Sequence, residues 1–130
     1  MDLLVLQKKV IEDIAGKGED FVIVGRNADH ILREYHPFSV FVCAQTDAKI
    51  RRCMERARPE ENLGEKELIR KMRQIDENRA KTRELMNGPA WGRRDAYHMI
   101  INTTDWDIKE LVPVTAGFAE CWFEKKLNSR

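Results

Sequence analysis

Three short apolar runs, with helical patterns between them, constrain the fold of this chain more than any other feature. The runs cover residues 21–24, 39–43 and 97–101, and they are rich in β-branched and aromatic side chains. Continuous runs of this length are typical of strands that are buried on both faces of a parallel sheet. The sequence therefore predicts an α/β fold, part of a doubly wound domain in which helices flank a short parallel sheet.

Helical spacing fills the segments between these runs. Helices are predicted at about 3–16, 28–36 and 46–58, with the longest at about 65–86, where Asn87-Gly88-Pro89 ends it. A last helix is predicted from about residue 104, with Pro113 kinking or delaying it. Its expected inward side chains are those of Ile108, Leu111, Val114 and Phe118. No repeat or linker divides the chain, so residues 1–130 are predicted to form a single domain.

The composition excludes several classes of protein. With 42% hydrophobic and 35% charged residues, the 130-residue chain has the makeup of a globular domain and not of a disordered one. No apolar stretch reaches the ~18 residues that cross a bilayer, and the opening segment lacks a secretion-signal cleavage site. A net charge of +1 argues against nucleic acid as a partner. Three widely spaced cysteines without a disulfide or zinc pattern favour a reduced, cytoplasmic setting, and no metal site is predicted.

The first candidate binding residue is Arg26, which directly follows Gly25 at the end of the first apolar run. Ligands of open α/β sheets bind at the carboxyl ends of the strands. A guanidinium held at such an end, where glycine lets the backbone turn, is suited to bind a phosphate. The alternative is an ordinary surface arginine beside a glycine turn.

The second candidate is Arg79, on the longest predicted helix. Steps of three or four residues place it within an apolar stripe formed by Leu68, Met72, Ile75, Thr82 and Met86. An arginine on an inward face requires an anionic partner, which Asp76 or a ligand phosphate would supply. Arg70, Arg73 and Lys81 add positive charge nearby. The alternative is a solvated bridge between Asp76 and Arg79 with no ligand.

Several short motifs, taken in order, resemble the cytidylate kinase-like group of nucleoside monophosphate kinases. They are Val-Gly-Arg at 24–26, Asp-x-x-Arg at 76–79 and Trp…Tyr…Ile-Asn-Thr between 91 and 103. The resemblance extends from about residue 10 to 118. It implies a reaction that moves the terminal phosphate of ATP, with Mg²⁺, to CMP or a similar nucleoside monophosphate.

The resemblance also assigns roles to individual residues. It implies that Arg26, Asp76 and Arg79 bind the acceptor nucleotide, and that Arg73 and Arg79 act in catalysis. It further implies that residues 58–87 form a lid-type helical segment. Arg51, Arg52 and Arg70 would then lie on the lid side that closes over ATP. Phosphoryl transfer depends mainly on position and positive charge, which an arginine-rich chain supplies.

Two residues depart from the family pattern, and one segment is missing from the sequence. Asn27 and His98 stand where the family often has acidic residues. The glycine-rich phosphate loop that opens the family's domain is not found, because Gly16-Lys17-Gly18 follows a predicted helix and precedes a predicted strand. We therefore expect the C-terminal two-thirds of such a domain, able to bind a nucleotide or phosphate anion but inactive or very weak alone.

A second hypothesis is a non-catalytic, kinase-derived scaffold or oligomerisation module. A thin sheet leaves apolar faces uncovered, so a homo-oligomer is expected under either hypothesis. A third hypothesis, a nucleic-acid-binding protein that uses the arginines and lysines of residues 70–83, is disfavoured by the near-zero net charge.

Overall fold

The computed structural model describes residues 2–57 and 64–128. Their regular elements are the helices α1 (Leu3–Gly16), α2 (Ala28–Ile31), α3 (Thr46–Arg56), α4 (Glu65–Leu85) and α5 (Leu111–Asn128), and the strands β1 (Val40–Cys43) and β2 (Met99–Asn102). Three short 3₁₀ helices, Arg33–Tyr35, Arg94–Ala96 and Ile108–Glu110, connect them. This is the predicted α/β class, with a short parallel sheet flanked by helices.

The sheet of the described residues consists of β1 and β2, which pair in parallel from Val40↔Met99 to Cys43↔Asn102. The strands predicted at 39–43 and 97–101 are thereby confirmed. The strand predicted at 21–24 is wrong, because this segment has no strand assignment and leaves Val22 92% and Val24 87% exposed. An apolar run becomes a strand only where a neighbouring strand accepts its backbone hydrogen bonds. No such neighbour lies beside residues 21–24 in the described part of the chain.

The main buried cluster joins α1 to α2. Asp2 caps α1, since its side chain accepts a hydrogen bond from the Leu4 backbone N–H. Ile11 and Ala15 of α1 then pack against Ala28 and Leu32, each less than 9% exposed. This cluster anchors the segment that follows residue 24 onto the first helix.

The long helix α4 has the predicted length but a different inward face. Arg79 and Ile75, which the stripe placed inside, are exposed, whereas Arg83 is only 2% exposed. Helix geometry explains the error. Arg83 lies within about 20° of Asp76 around the axis, while Arg79 lies about 60° away. The inward arginine of α4 is therefore Arg83.

The last helix begins later than predicted. Asp107 and Glu110 form a capping box around the 3₁₀ helix, and α5 starts at Leu111. Pro113 thus falls in the first turn, where its missing N–H costs no helical hydrogen bond and no kink is required. The prediction that Ile108, Val114 and Phe118 point inward is wrong, since all three are more than 40% exposed. No helix of the described residues is both long and apolar enough to span a membrane.

Candidate functional site

The carboxyl ends of β1 and β2 are tied together by backbone and side-chain hydrogen bonds. The Thr103 N–H donates to the Cys43 carbonyl at 2.8 Å, and the Gln45 N–H donates to Thr104 Oγ1 at 2.9 Å. Arg52 of α3 donates to Thr103 Oγ1 at 2.7 Å, to the Trp106 carbonyl at 3.0 Å and to the Thr103 carbonyl. Arg52 therefore holds the turn after β2, a contact that the lid assignment from sequence did not anticipate.

Three consecutive residues after the 21–24 segment have left-handed backbone conformations. The φ angles are +73° at Gly25, +58° at Arg26 and +55° at Asn27. Glycine adopts this region freely and asparagine tolerates it, but a long side chain such as arginine is strained there by about 1–2 kcal/mol. Strain of this kind persists only where the surroundings fix the backbone. Backbone hydrogen bonds from the Ala28 N–H to the Gly25 carbonyl and from the Ile31 N–H to the Asn27 carbonyl close the turn itself.

Asp29, two residues after this turn, forms a buried ion pair with Arg83. The two guanidinium nitrogens Nη1 and Nη2 donate to Oδ1 and Oδ2 of Asp29 at 2.6 and 2.7 Å, and Nε donates to the Pro89 carbonyl at 2.9 Å. The hydrogen bond with Asp29 raises the pKa of Arg83 above its usual range. The turn that carries Arg26 is thus locked to the C-terminal end of α4.

Close packing around the Arg83 guanidinium makes this lock rigid. A Cβ atom at Gly88 would lie 2.9 Å from Arg83 Nε, so the chain passes too close for a side chain. His30, next to Asp29, donates from Nε2 to the Met86 carbonyl at 2.9 Å. Asp29 and His30 therefore both fasten α2 to the end of α4.

Two turns before Arg83 on α4, Asp76 lies between two cations. Its carboxylate accepts from Arg79 Nη1 at 3.1 Å and from Lys49 Nζ of α3 at 3.5 Å. The Arg79 guanidinium also lies 5.9 Å from the centroid of the Trp91 ring, within the range of a cation–π contact. The contact between Asp76 and Arg79 is present on an exposed part of α4, as the alternative of a solvated bridge also predicts, and Lys49 and Trp91 complete a half-exposed cluster.

The remaining candidate arginines are exposed on α3 and α4. They are Arg51, Arg70 and Arg73, and Arg51 lines an open pocket of about 500 Å³ between the two helices, beside Ile50 and Met54. Residues 58–63 of the predicted lid segment lie outside the described residues. Arg26 is also exposed, and its side chain forms no ion pair with another described residue.

Comparison with known proteins identifies the family of this chain. Residues 2–105 match the Cytidylate kinase-like family. The chain belongs to the cytidylate kinase-like family. A crystal structure of an uncharacterized protein from Eubacterium ventriosum ATCC 27560 is 28% identical in sequence and similar in fold, with a TM-score of 0.73. The similarity covers all of this chain and 67% of that one. No curated protein is significantly similar to the chain.

The pair Gly16 and Gly18 does not form a phosphate loop of the kind that the cytidylate kinase-like family uses to hold ATP. A phosphate loop leads into the N-terminus of a helix, where backbone N–H groups bind the phosphate. The pair Gly16 and Gly18 instead follows α1, and no helix begins directly after it. Within residues 2–57 and 64–128, no group of three or more His, Cys, Asp or Glu side chains could hold a metal ion. We therefore derive no chemical step through ATP or Mg²⁺ in this chain.

The structure also reveals residues that the sequence reasoning missed. The sequence assigns no role to Asp29 or Lys49 and includes Arg83 only in the disfavoured nucleic-acid hypothesis, although Arg83 lies seven residues after Asp76 and so shares its helix face. The missing signal was long-range, because Asp29 is 54 residues from its partner. The aromatic residues of the third motif do have a role in this site. Trp91 and Tyr97 pack on Phe41 of β1, and Tyr97 also lies under the Arg83 guanidinium.

Proposed function

We propose that this chain is the acceptor-binding part of a cytidylate kinase-like phosphotransferase. In this proposal Arg26 and Arg79 bind the phosphate of CMP or a similar nucleoside monophosphate, and Asp76 orients Arg79. Arg51, Arg70 and Arg73 would lie exposed on the lid side of the site, and Arg52 would support it by holding the turn after β2. The 130-residue chain would bind its acceptor but require a phosphate loop from outside these residues for efficient transfer.

The observation that carries the proposal is the strained turn at Arg26. A long side chain in a left-handed conformation costs stability, yet backbone hydrogen bonds close the turn and the Asp29–Arg83 pair holds the helix that follows it. Backbone strain that the neighbouring residues maintain is typical of positions whose side chain contacts a ligand. Arg79 lies on the same helix as Arg83, one turn before it.

The charge state of the second arginine supports the same proposal. Asp76 already accepts from Lys49 and Arg79, so it neutralises one of the two cations and leaves a net positive charge at the cluster. The Arg79 side chain is 59% exposed, so its guanidinium group is accessible to an incoming phosphate. A bidentate guanidinium suits a phosphate better than a point charge does.

A second candidate function is a non-catalytic scaffold that pairs with another chain. The specific observation in its favour is the exposed apolar surface, which includes Val22, Val24 and Val42, the last on β1. A contiguous patch of exposed apolar side chains is typical of an interaction site. Under this hypothesis the chain would assemble but would not bind a nucleotide.

Calorimetric titration of CMP separates the two functions. Arg79→Met should weaken binding about ten- to a hundredfold, since a charge-assisted contact contributes about 1.5–3 kcal/mol. Arg79→Lys should also bind more weakly, because a point charge cannot form two parallel hydrogen bonds. The matched control is Lys81→Met, which removes the same charge from the same helix about 160° around its axis.

The expected pattern is unchanged affinity in the control and weaker binding in both Arg79 variants. Equal affinities in wild type and Arg79→Met, or no CMP binding by any of the proteins, would refute the acceptor site and favour the scaffold.

A further inference from the structure

The aromatic ring of Trp91 lies beside the exposed arginine of the proposed acceptor site. The guanidinium carbon of Arg79 lies over this ring, 5.9 Å from its centroid, and Nη1 of the same group donates to Asp76 at 3.1 Å. A carboxylate and the face of an aromatic ring therefore hold the guanidinium group between them.

A tight turn fixes the position of Trp91. The Arg93 N–H donates to the carbonyl three residues before it at 3.0 Å, which makes Trp91 and Gly92 the central residues of the turn. The φ angle of Gly92 is +79°, and a Cβ atom there would lie 3.3 Å from Cζ of Phe41, so this position requires glycine. The Gly92 N–H also donates to the Tyr97 hydroxyl at 3.1 Å. The backbone that carries Trp91 is thus held against β1 and the segment before β2.

Aromatic packing connects Trp91 to the buried part of α4. The Phe41 ring lies edge-on to Trp91 at 5.1 Å and beside Tyr97 at 4.9 Å, measured between ring centroids. The Arg83 guanidinium lies over the Tyr97 ring, 5.9 Å from its centroid. Arg79 and Arg83 are one turn apart on α4, so the same group of three rings faces both of them. The ring that meets the exposed arginine therefore has a packed support.

A guanidinium group that is already held in place is better prepared to bind a phosphate than a free one. The Arg79 side chain is more than half exposed, and a long side chain in solvent samples many rotamers, whose loss opposes binding. The contact with Asp76 uses Nη1, and the contact with Trp91 uses the face of the ring. Neither contact uses Nε or Nη2, which remain available to donate in parallel to two phosphate oxygens.

We propose that Trp91 is a positioning residue of the acceptor site, whose ring holds the Arg79 guanidinium in the orientation that binds the phosphate of CMP or a similar nucleoside monophosphate. This inference rests on the function proposed above, in which Arg79 binds that phosphate. Trp91 acts through Arg79 and not on the nucleotide, so its effect on binding should disappear when the guanidinium is absent.

Nuclear magnetic resonance titrations with CMP measure this effect in a double-variant cycle. Trp91→Leu should weaken CMP binding about two- to fivefold, which corresponds to an exposed cation–π contact, and Trp91→Tyr, which keeps a ring, should bind between Trp91→Leu and wild type. In the Arg79→Met background, Trp91→Leu should cause no further loss. The control Phe123→Leu removes a half-exposed ring from α5 and should bind CMP as wild type does.

A measurement without ligand separates the contact from the function. The Arg79 Nε–H resonance, assigned by its loss in Arg79→Met, should shift in Trp91→Leu, because the indole ring current is removed, and should not move in Phe123→Leu. If Trp91→Leu does not fold, Trp91→Tyr takes its place in both measurements, and its weaker binding should likewise require Arg79.

Three results would overturn the inference and leave the acceptor site standing. They are wild-type affinity in Trp91→Leu, an equal loss with and without the Arg79 guanidinium, and an Nε–H resonance that does not move. Absence of CMP binding by wild type would instead refute the acceptor function, and this inference with it.

Discussion

The buried pair of Asp29 and Arg83 provides the sharpest test of how this fold holds its candidate site. Arg83 is 2% exposed and donates two hydrogen bonds to a carboxylate whose side chain is 24% exposed. When one partner of a buried ion pair is removed, the other is left as an unpaired charge in the protein interior. This lowers the free energy of unfolding by about 3–5 kcal/mol when the remaining ion is fully buried. The two single substitutions should therefore differ in cost.

Asp29→Ala leaves the deeply buried guanidinium with the Pro89 carbonyl as its hydrogen-bond acceptor. We therefore expect the free energy of unfolding to fall by about 3–5 kcal/mol. Arg83→Met leaves the Asp29 carboxylate, which water can partly reach, so we expect a smaller loss of about 2–3 kcal/mol. The double variant, with both Asp29→Ala and Arg83→Met, leaves neither charge unpaired. Its loss should fall short of the sum of the two single losses by about 2 kcal/mol or more.

Urea unfolding followed by tryptophan fluorescence measures these differences. The matched control is Arg93→Met, because Arg93 forms the same two-pronged contact with Asp95 on the surface, where both side chains are more than half exposed. An exposed pair is screened by water, so the control should unfold like wild type. Additive losses in the double variant, or a normal midpoint for Arg83→Met, would refute the reasoning. If Asp29→Ala does not fold, recovery of folding in the double variant is the expected result.

Three other outcomes are expected. In a coupled assay the 130-residue chain should show no robust transfer of phosphate from ATP to CMP, since no described loop cradles the β- and γ-phosphates; ordinary turnover would contradict this. Light scattering at micromolar concentration should report a dimer or larger, because Val22 and Val24 are exposed; a folded monomer would count against it. Because the pKa of His98 is lowered on folding, its contribution to stability is present above pH ~6.5 and is lost as the pH falls through the folded-state value. Wild type should thus lose more stability than His98→Gln between neutral and mildly acidic pH, as measured by urea midpoints, and parallel losses would contradict the assignment.

The sequence predicts those elements whose partners also lie in the chain. The runs at 39–43 and 97–101 pair with one another, and the pattern of α4 agrees with its observed span to within a residue. The run at 21–24 has the same composition, yet it forms no strand, because no segment among the described residues lies beside it to pair with it. The composition of a segment indicates that it favours a strand, but the strand forms only where a second segment pairs with it through backbone hydrogen bonds.

The candidate site is predictable only in part for a similar reason. The contact between Asp76 and Arg79 is local, three residues apart on one helix, and the spacing predicts it. The pair of Asp29 and Arg83 joins residues far apart in sequence, so no local pattern reveals it. The inward stripe was misplaced because Arg79 and Arg83, four residues apart, differ by only about 40° around the helix axis. That small angle separates an exposed arginine from a buried one.

The proposed function depends on Arg26 and Arg79 binding the same phosphate of an acceptor nucleotide. A crystal structure of the chain with CMP would show this contact. We expect the CMP phosphate within hydrogen-bond distance of both guanidinium groups, with Asp76 still in contact with Arg79. A structure in which CMP is bound away from both arginines, or in which the phosphate contacts neither of them, would contradict it.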